Sequence, residues 1–330
     1  MSEKISRFKF DAIDLKLLYE LDCNAFQSLS KIAKKLKTKR DVLLYRIKRM
    51  EKEGIIKGYI ALIDYGKIGF MAGVIYLKYQ HENDKIKNEI LDYFNSEPKI
   101  WWVNSRDGNF DLGAGFWFRN LKEFRKAQIE MMKKYLFYFK EMKSRIYTHI
   151  LQFPRRYLSK NFQDLPPVSI STEADKMTDD TDDRILSILS KNARMPYTEI
   201  ATIANLSAAQ VHYRIKNMKK NRVILGARPM IDRSMLGYRW YKVDFYLDDC
   251  SIMDKLKAYL LSHLNTVYVY EAVGGADIEV EFEVKNPEEL SKIIGQIKNK
   301  FQNAIRYTEF YEFTKEHKLI YFPQASHFSQ

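Results

Sequence analysis

Apolar residues recur at helical spacing three times within the first fifty residues. Ile13, Leu17, Leu18 and Leu21 form one set, Leu29, Ile32, Ala33 and Leu36 a second, and Leu43, Ile47 and Met50 a third, with polar breaks between them. Spacings of three and four residues put each set on one face of a helix, so the pattern predicts three short helices. The pattern returns past the middle of the chain as Ile185, Leu186 and Leu189, then Ile200, Ala201 and Ala204, then Val211, Ile215 and Met218. In both places the third helix spells the same word, Tyr45-Arg46-Ile47-Lys48 and Tyr213-Arg214-Ile215-Lys216.

After each third helix comes a short β-prone run, Gly54 to Tyr59 and Arg222 to Ala227, consistent with a wing. Gly54 suits a helix C-terminus; Arg222 holds the matching place in the second copy. The periodicity then alternates between two and 3.6. In the first copy it predicts strands near 73–79, 100–104, 110–118 and 145–153, with helices near 85–94 and 121–135. In the second it predicts strands near 240–247, 266–272, 277–284 and 306–313, with helices near 252–264 and 287–301. Both orders are βαββαβ, the ferredoxin-like arrangement.

The two series are one unit written twice. A shift of 168 positions carries Asp11 onto Asp179, Asp14 onto Asp182, Asn24-Ala25 onto Asn192-Ala193, Met50 onto Met218 and Gly69 onto Gly237. With a small change of shift, Gly108-Asn109-Phe110-Asp111 falls on Gly274-Gly275-Ala276-Asp277. A gapless match this long indicates duplication of a whole structural unit. The expected organisation is a winged helix-turn-helix at 8–62, a ferredoxin-like domain at 63–153, a linker at 154–177, a second winged helix-turn-helix at 178–230 and a second ferredoxin-like domain at 231–323. The linker reading rests on the lack of periodicity and on Pro166-Pro167 followed by a Ser/Thr cluster.

The third helices carry the candidate chemistry. With Val211, Ile215 and Met218 buried and about 100° per residue, Tyr213, Lys216 and Lys220 point outward, with His212 to one side; in the first copy Tyr45, Lys48 and Lys52 do so, with Arg49 alongside. Lys37, Lys39 and Arg40 crowd the start of that helix. Arg46 and Arg214 lie at the stripe's edge, where a long stem packs while its guanidinium still reaches a phosphate. Thr38 with Asp41, and Ser207 with Gln210, read as capping boxes. A basic, aromatic-bearing third helix after two short ones has the form of a recognition helix; the plain alternative is a solvated helix surface.

Charge supports this reading. The net charge is +13, and residues 1–165 hold 33 Lys and Arg against 20 Asp and Glu, while the remainder is balanced. Such an excess favours a polyanionic partner. Cys23 and Cys250 stand far apart, giving neither a disulfide framework nor zinc-ligand spacing. The charged first residues do not read as a signal peptide, no apolar run is long enough to span a bilayer, and a cytoplasmic location is expected. Asp277, Glu279, Glu281 and Glu283 alternate with apolar residues, so one strand face carries four carboxylates; a solvated face is the expected explanation, and no metal site or cofactor is assigned.

The chain resembles the Lrp/AsnC, or feast/famine, family of transcription regulators. The resemblance rests on Asp179, Asp182, Ile185-Leu186, Leu189, Asn192-Ala193-Arg194, Ile200-Ala201, Leu206-Ser207, Val211 and Arg214-Ile215, then Leu236-Gly237-Tyr238 and Gly274 with Asp277. The first copy departs from it at Phe26, in place of the arginine, and at Thr38-Lys39, in place of Leu-Ser.

The resemblance implies an α+β chain that binds double-stranded DNA, folds as an internal pseudo-dimer with its ferredoxin-like modules packed sheet to sheet, and responds to a small effector such as an amino acid. It leaves open whether fused chains assemble further. The DNA-binding set is Lys37, Lys39, Arg40, Tyr45, Arg46, Lys48, Arg49, Lys52, Ser207, Gln210, His212, Tyr213, Arg214, Lys216 and Lys220. The effector candidates are Gly108, Asp111, Gly274 and Asp277, for which a tight strand-to-strand turn is the alternative. No catalytic residue is assigned. The competing reading is an enzyme resembling siroheme decarboxylases, which share this build; His149 and Arg106 would then face a tetrapyrrole-sized cavity, while His81, His263, His317 and His327 show no repeating pattern.

Overall fold

The computed structural model describes residues 8–159 and 165–323; part of the expected linker, and His327, lie outside them. The first helical unit comprises α1 (Ala12–Cys23), α2 (Leu29–Lys35) and α3 (Arg40–Lys52), and strand β1 (Ile56–Ile63) follows it. The apolar stripes read from the sequence are buried: Leu17, Leu18, Ile32, Leu43, Ile47 and Met50 pack together. A ferredoxin-like run follows, with β2 (Met71–Tyr79), α4 (Asp84–Ser96), β3 (Ile100–Gly108), β4 (Leu112–Phe118), α5 (Leu121–Tyr135) and β5 (Phe139–Gln152).

The short strand β6 (Val168–Ser171) then pairs with β5, so this part of the expected linker is an added sheet edge. The second copy repeats the order with α6 (Asp180–Lys191), α7 (Tyr197–Ala204), α8 (Ala208–Lys220), β7 (Ile224–Ile231), β8 (Arg239–Leu247), α9 (Met253–Ser262), β9 (Thr266–Val273), β10 (Ile278–Val284), α10 (Pro287–Lys300) and β11 (Ile305–Leu319).

Two pairings join the copies. The β-prone run after each third helix pairs with its counterpart instead of turning back on its own head. β1 and β7 form an antiparallel ribbon in which Ile56 faces Ile231 and Ile63 faces Ile224. Each copy also closes the other's sheet. Within the first copy the strand order is β5-β2-β4-β3, and within the second β11-β8-β10-β9; β5 then pairs with β9 and β11 with β3. The expectation of two sheets packed face to face is thereby corrected, because the eight strands join edge to edge in a closed barrel. Closure leaves no open edge on any of the eight, and it explains why β5 and β11 run longer than their apolar patterns suggest, since each serves two neighbours.

Closure also sets what each strand face meets. Helices α4 and α5, and α9 and α10, cover the outer apolar faces, where Ile75, Leu77 and Phe116 pack with Ile90 and Phe94, and Val280 and Phe282 with Leu260 and Ile293. The polar faces therefore turn inward. Glu279, Glu281 and Glu283 are all at most 2% exposed, which overturns the solvated-face expectation for them; Asp277, at the end of the run, remains exposed. Arg145 Nη2 donates to Asp244 Oδ2 at 2.6 Å, while its Nη1 stands 2.6 Å from Glu279 Oε1 as an ion pair. Lys242 Nζ pairs with Glu279 and donates to the Tyr76 hydroxyl at 2.8 Å.

These four charges balance formally, as a dry interior demands. On the opposite wall Gly113 and Gly115 replace the carboxylates, and their missing side chains matter. A Cβ at Gly113 would lie 2.4 Å from the Arg106 guanidinium, and one at Gly115 would lie 2.7 Å from the Trp101 indole.

Removing one member of a buried charge cluster strands the others, at a typical cost of about 3–5 kcal/mol. Arg145→Leu is expected to lower the unfolding free energy by that order and so shift the urea midpoint down, and a cooperative transition at the wild-type midpoint would show that the cluster does not hold the barrel.

Candidate nucleic-acid interface

In both heads an aspartate pair organises the helices. Asp11 and Asp179 cap α1 and α6, each within a reciprocal capping box whose third residue is Asp14 or Asp182. The same carboxylates hold the arginine of the repeated word. Arg46 Nη1 donates to Asp11 and Asp14, both at 2.7 Å, and Arg214 Nη1 donates to Asp179 at 2.8 Å and to Asp182 at 2.9 Å. Arg49 Nη2 also reaches Asp14 at 2.9 Å. Arg46, Arg49 and Arg214, of the expected DNA-facing set, remain partly exposed and also brace the third helix against the first through these ion pairs.

The remaining third-helix residues do face outward. Tyr45 is 67% exposed and Tyr213 65%. Lys37, Lys39, Arg40, Lys48 and Lys52 are exposed in the first head, and Ser207, Gln210, His212, Lys216 and Lys220 in the second. Ser207 and Gln210 are partly engaged, since they form the expected capping box. The box expected at Thr38 and Asp41 is absent: α3 begins one residue later, with Lys39 at the cap and no side-chain acceptor. Lys37, at φ 50°, makes the tight turn between α2 and α3. Arg222 likewise takes the left-handed conformation that Gly54 supplies in the first copy, at φ 57° against 77°.

Each head rests on the other copy's ribbon strand. Ala25 N donates to Ala227 O at 2.8 Å, and Ala193 N to Tyr59 O at 2.9 Å. Beside these bonds a cation meets a ring on each side, with the roles exchanged. Arg194 lies 4.8 Å from the Tyr59 ring, and Lys219 lies 3.8 Å from the ring of Phe26, the residue that departs from the arginine pattern.

The effector candidates resolve as turns. Asp111 accepts from Tyr79 N and Lys78 Nζ, both at 2.8 Å, and Asp277 accepts from Leu247 N at 2.7 Å. Gly108 and Gly274 sit beside them at φ 131° and 78°. These carboxylates pin adjacent strand ends.

A cavity of about 160 Å³ lies elsewhere, between the β1–β7 ribbon and the barrel. Trp101, Trp102, Trp240 and Tyr268 wall it, and Arg155, Arg228, Arg233, Glu281 and Glu283 border it. Apart from the two glutamates, none of these was singled out from the sequence, because the cavity draws on strands distant in the chain. Arg106 is instead enclosed by Tyr76, Tyr311, Phe313 and Trp102, at 4.1 to 5.0 Å from the ring centres. His149 bonds Ser169 on the added edge strand and is not among the cavity's residues.

Within the cavity wall, Glu281 accepts from Trp240 Nε1 at 3.0 Å and from the Tyr270 hydroxyl at 2.9 Å. Burial pushes its carboxyl from 4.5 up to about 7, against the opposing pull of the Lys242 charge and these hydrogen bonds.

Residues 179–219 match the family model described as the AsnC-type helix-turn-helix domain, and residues 10–57 match a winged helix-turn-helix DNA-binding model. The HTH-type transcriptional regulator FL11 of Pyrococcus furiosus is 29% identical over 119 residues, 36% of this chain and 79% of that protein. The regulatory protein AsnC of Haemophilus influenzae is 38% identical over 60 residues, covering 18% of this chain and 40% of its own. Among solved structures, the siroheme decarboxylase NirDL superposes with a TM-score of 0.64 at 14% identity, covering 96% of this chain and 94% of that one; this likeness is one of fold.

The raised Glu281 carboxyl has a signed consequence. The folded chain retains a proton that the unfolded chain releases near 4.5, so stability falls as pH rises from there towards about 7. Tryptophan emission is expected to titrate with a midpoint near 7, and Glu281→Gln to abolish both that titration and the stability slope. Identical pH profiles for the two proteins would contradict the assignment.

Proposed function

The chain belongs to the Lrp/AsnC family of transcription regulators, and we propose that it acts as a sequence-specific DNA-binding regulator reading an asymmetric site with two unequal heads. The supporting observation is the pair of exposed third helices, each carrying an outward tyrosine and lysines, on heads clasped through one antiparallel ribbon. That ribbon pairs one segment with its own duplicate in a symmetric register, which supports an internal pseudo-dimer: the two heads would meet successive major grooves, as paired recognition helices do. Fusion frees the halves from identity. The first head offers Lys37, Lys39, Arg40, Lys48 and Lys52, and the second only Lys216 and Lys220 with His212.

Among the described residues no helix is long and apolar enough to cross a membrane; the proposed setting is the cytoplasm, with DNA as partner and a small effector as modulator. The decarboxylase reading draws support from the shared fold alone. Against it stands the cavity, well below the roughly 300–1,000 Å³ typical of sites for drug-sized ligands, and hence small for a tetrapyrrole.

Affinity should depend mainly on the first head. Replacing Lys39, Arg40 and Lys48 by Ala is expected to weaken binding to the chain's own upstream DNA and to flatten the log–log salt dependence by about 0.9 for each phosphate no longer neutralised. Replacing Lys216 and Lys220 should cost less on both counts. A gel-shift salt titration in which the first-head variant matched wild type would refute this.

A further inference from the structure

Where the ribbon crosses the barrel, three carboxylates line the cavity: Glu281 and Glu283, both buried and engaged, and Glu316, which is exposed at its border. Glu283 accepts from Arg155 Nε at 2.8 Å, from Arg155 Nη2 at 3.0 Å and from the Tyr157 hydroxyl. Glu281 holds Trp240 and Tyr270. Arg155 is further engaged by Asp22 at 3.1 Å. Arg228 differs. It is 4% exposed, and its acceptors among the described residues are two backbone carbonyls, those of Phe153 and of Gln152. Its Nε–H has no acceptor, and neither has the buried indole N–H of Trp101. Asp22, paired directly with Arg155, acts on Arg228 only at longer range; a buried guanidinium with no direct ion pair is unfavourable, and an unmet buried donor adds to the cost.

The other surfaces are aromatic. Trp101, Trp102, Trp240 and Tyr268 line the space, and the Arg233 guanidinium stands 3.9 Å from the Trp240 ring centre. A buried arginine in an aromatic-walled space suits a flat apolar body carrying one acidic group.

We propose that this cavity binds a small organic monocarboxylate with a flat apolar body, its carboxylate on Arg228 and its body against the tryptophans. The buried glutamates already have donors, so the ammonium of a zwitterion would have to reach Glu316 at the cavity's border while adding a cation beside Arg228. The cavity's floor is the ribbon itself: Ile60, Leu62, Arg228 and Met230 belong to β1 and β7. Occupancy therefore bears on the strands that carry both heads. That coupling rests on the DNA-binding reading, whereas binding itself does not.

The test uses the full-length chain without DNA. Three of its four tryptophans line the cavity, so their emission reports occupancy. Phenylacetate is titrated beside benzyl alcohol, which lacks the charge, and 2-phenylethylamine, which reverses it. A saturable emission change is expected with phenylacetate alone, weakened at least tenfold in Arg228→Gln and partly restored in Arg228→Lys.

No saturable response to phenylacetate, an equal response to benzyl alcohol, or an unchanged Kd in Arg228→Gln would overturn the proposal. The wild-type comparison among the three probes decides the matter even if Arg228→Gln fails to fold. A gel shift with and without saturating phenylacetate then tests the coupling separately: failure there removes only the link to the heads, and failure of DNA binding leaves the titration intact.

Discussion

Everything in this molecule follows from β5 and β11 each having two neighbours. A ferredoxin-like sheet ends in an edge, and an edge strand exposes unpaired amides and carbonyls. Here the last strand of each copy covers the edge of the other, through β5 with β9 and β11 with β3. With helices already packed on the outer apolar faces, the faces that would otherwise meet water form the barrel interior. Charges placed there cannot be left to solvent, so Arg145, Lys242, Asp244 and Glu279 neutralise one another. The interior is also where the two copies differ most, one wall lined with carboxylates and the other hollowed by glycine.

The heads use a second form of interlock. Each docks on the strand of the opposite copy, and an Asp–Asp–Arg clamp stiffens each one internally. The repeated arginine is thereby tied to the first helix while still partly exposed, and the tyrosine before it and the lysine after the isoleucine are the most outward letters of the word. The first head is also tied to the barrel directly, through Asp22 on α1 and Arg155, which pairs with Glu283 of β10. The cavity under that ribbon is a place where a small molecule would touch both copies and both head supports together.

Much of this was legible in the chain. Periodicity of 3.6 and of two located the helices and strands because burial on one face is a local property of an amphipathic element. The repeat was legible because both copies keep the same buried stripes. The functional surface was legible only in part. Tyr45 and Lys48 point outward as helical geometry requires, while Arg46 and Arg214 also serve the head's interior, because carboxylates 35 and 32 residues away bond each of them. The Gly–Asp turns at 108–111 and 274–277 were equally readable as pocket or pin, and the hydrogen bonds of Asp111 and Asp277 show the pinning part of that reading.

By itself the sequence determined the two-fold plan: which segments are helix or strand, which faces are apolar, and where positive charge concentrates. These are matters of spacing and composition. Only the tertiary structure decided whether the polar strand faces meet water or one another, since that depends on which edges join across distant parts of the chain. The alternating run Glu279–Glu281–Glu283 reads the same in either case. It is buried, and Trp101, Arg228 and Trp240 share a cavity with its last two members, because closing the barrel removed the water that such a face would otherwise have had.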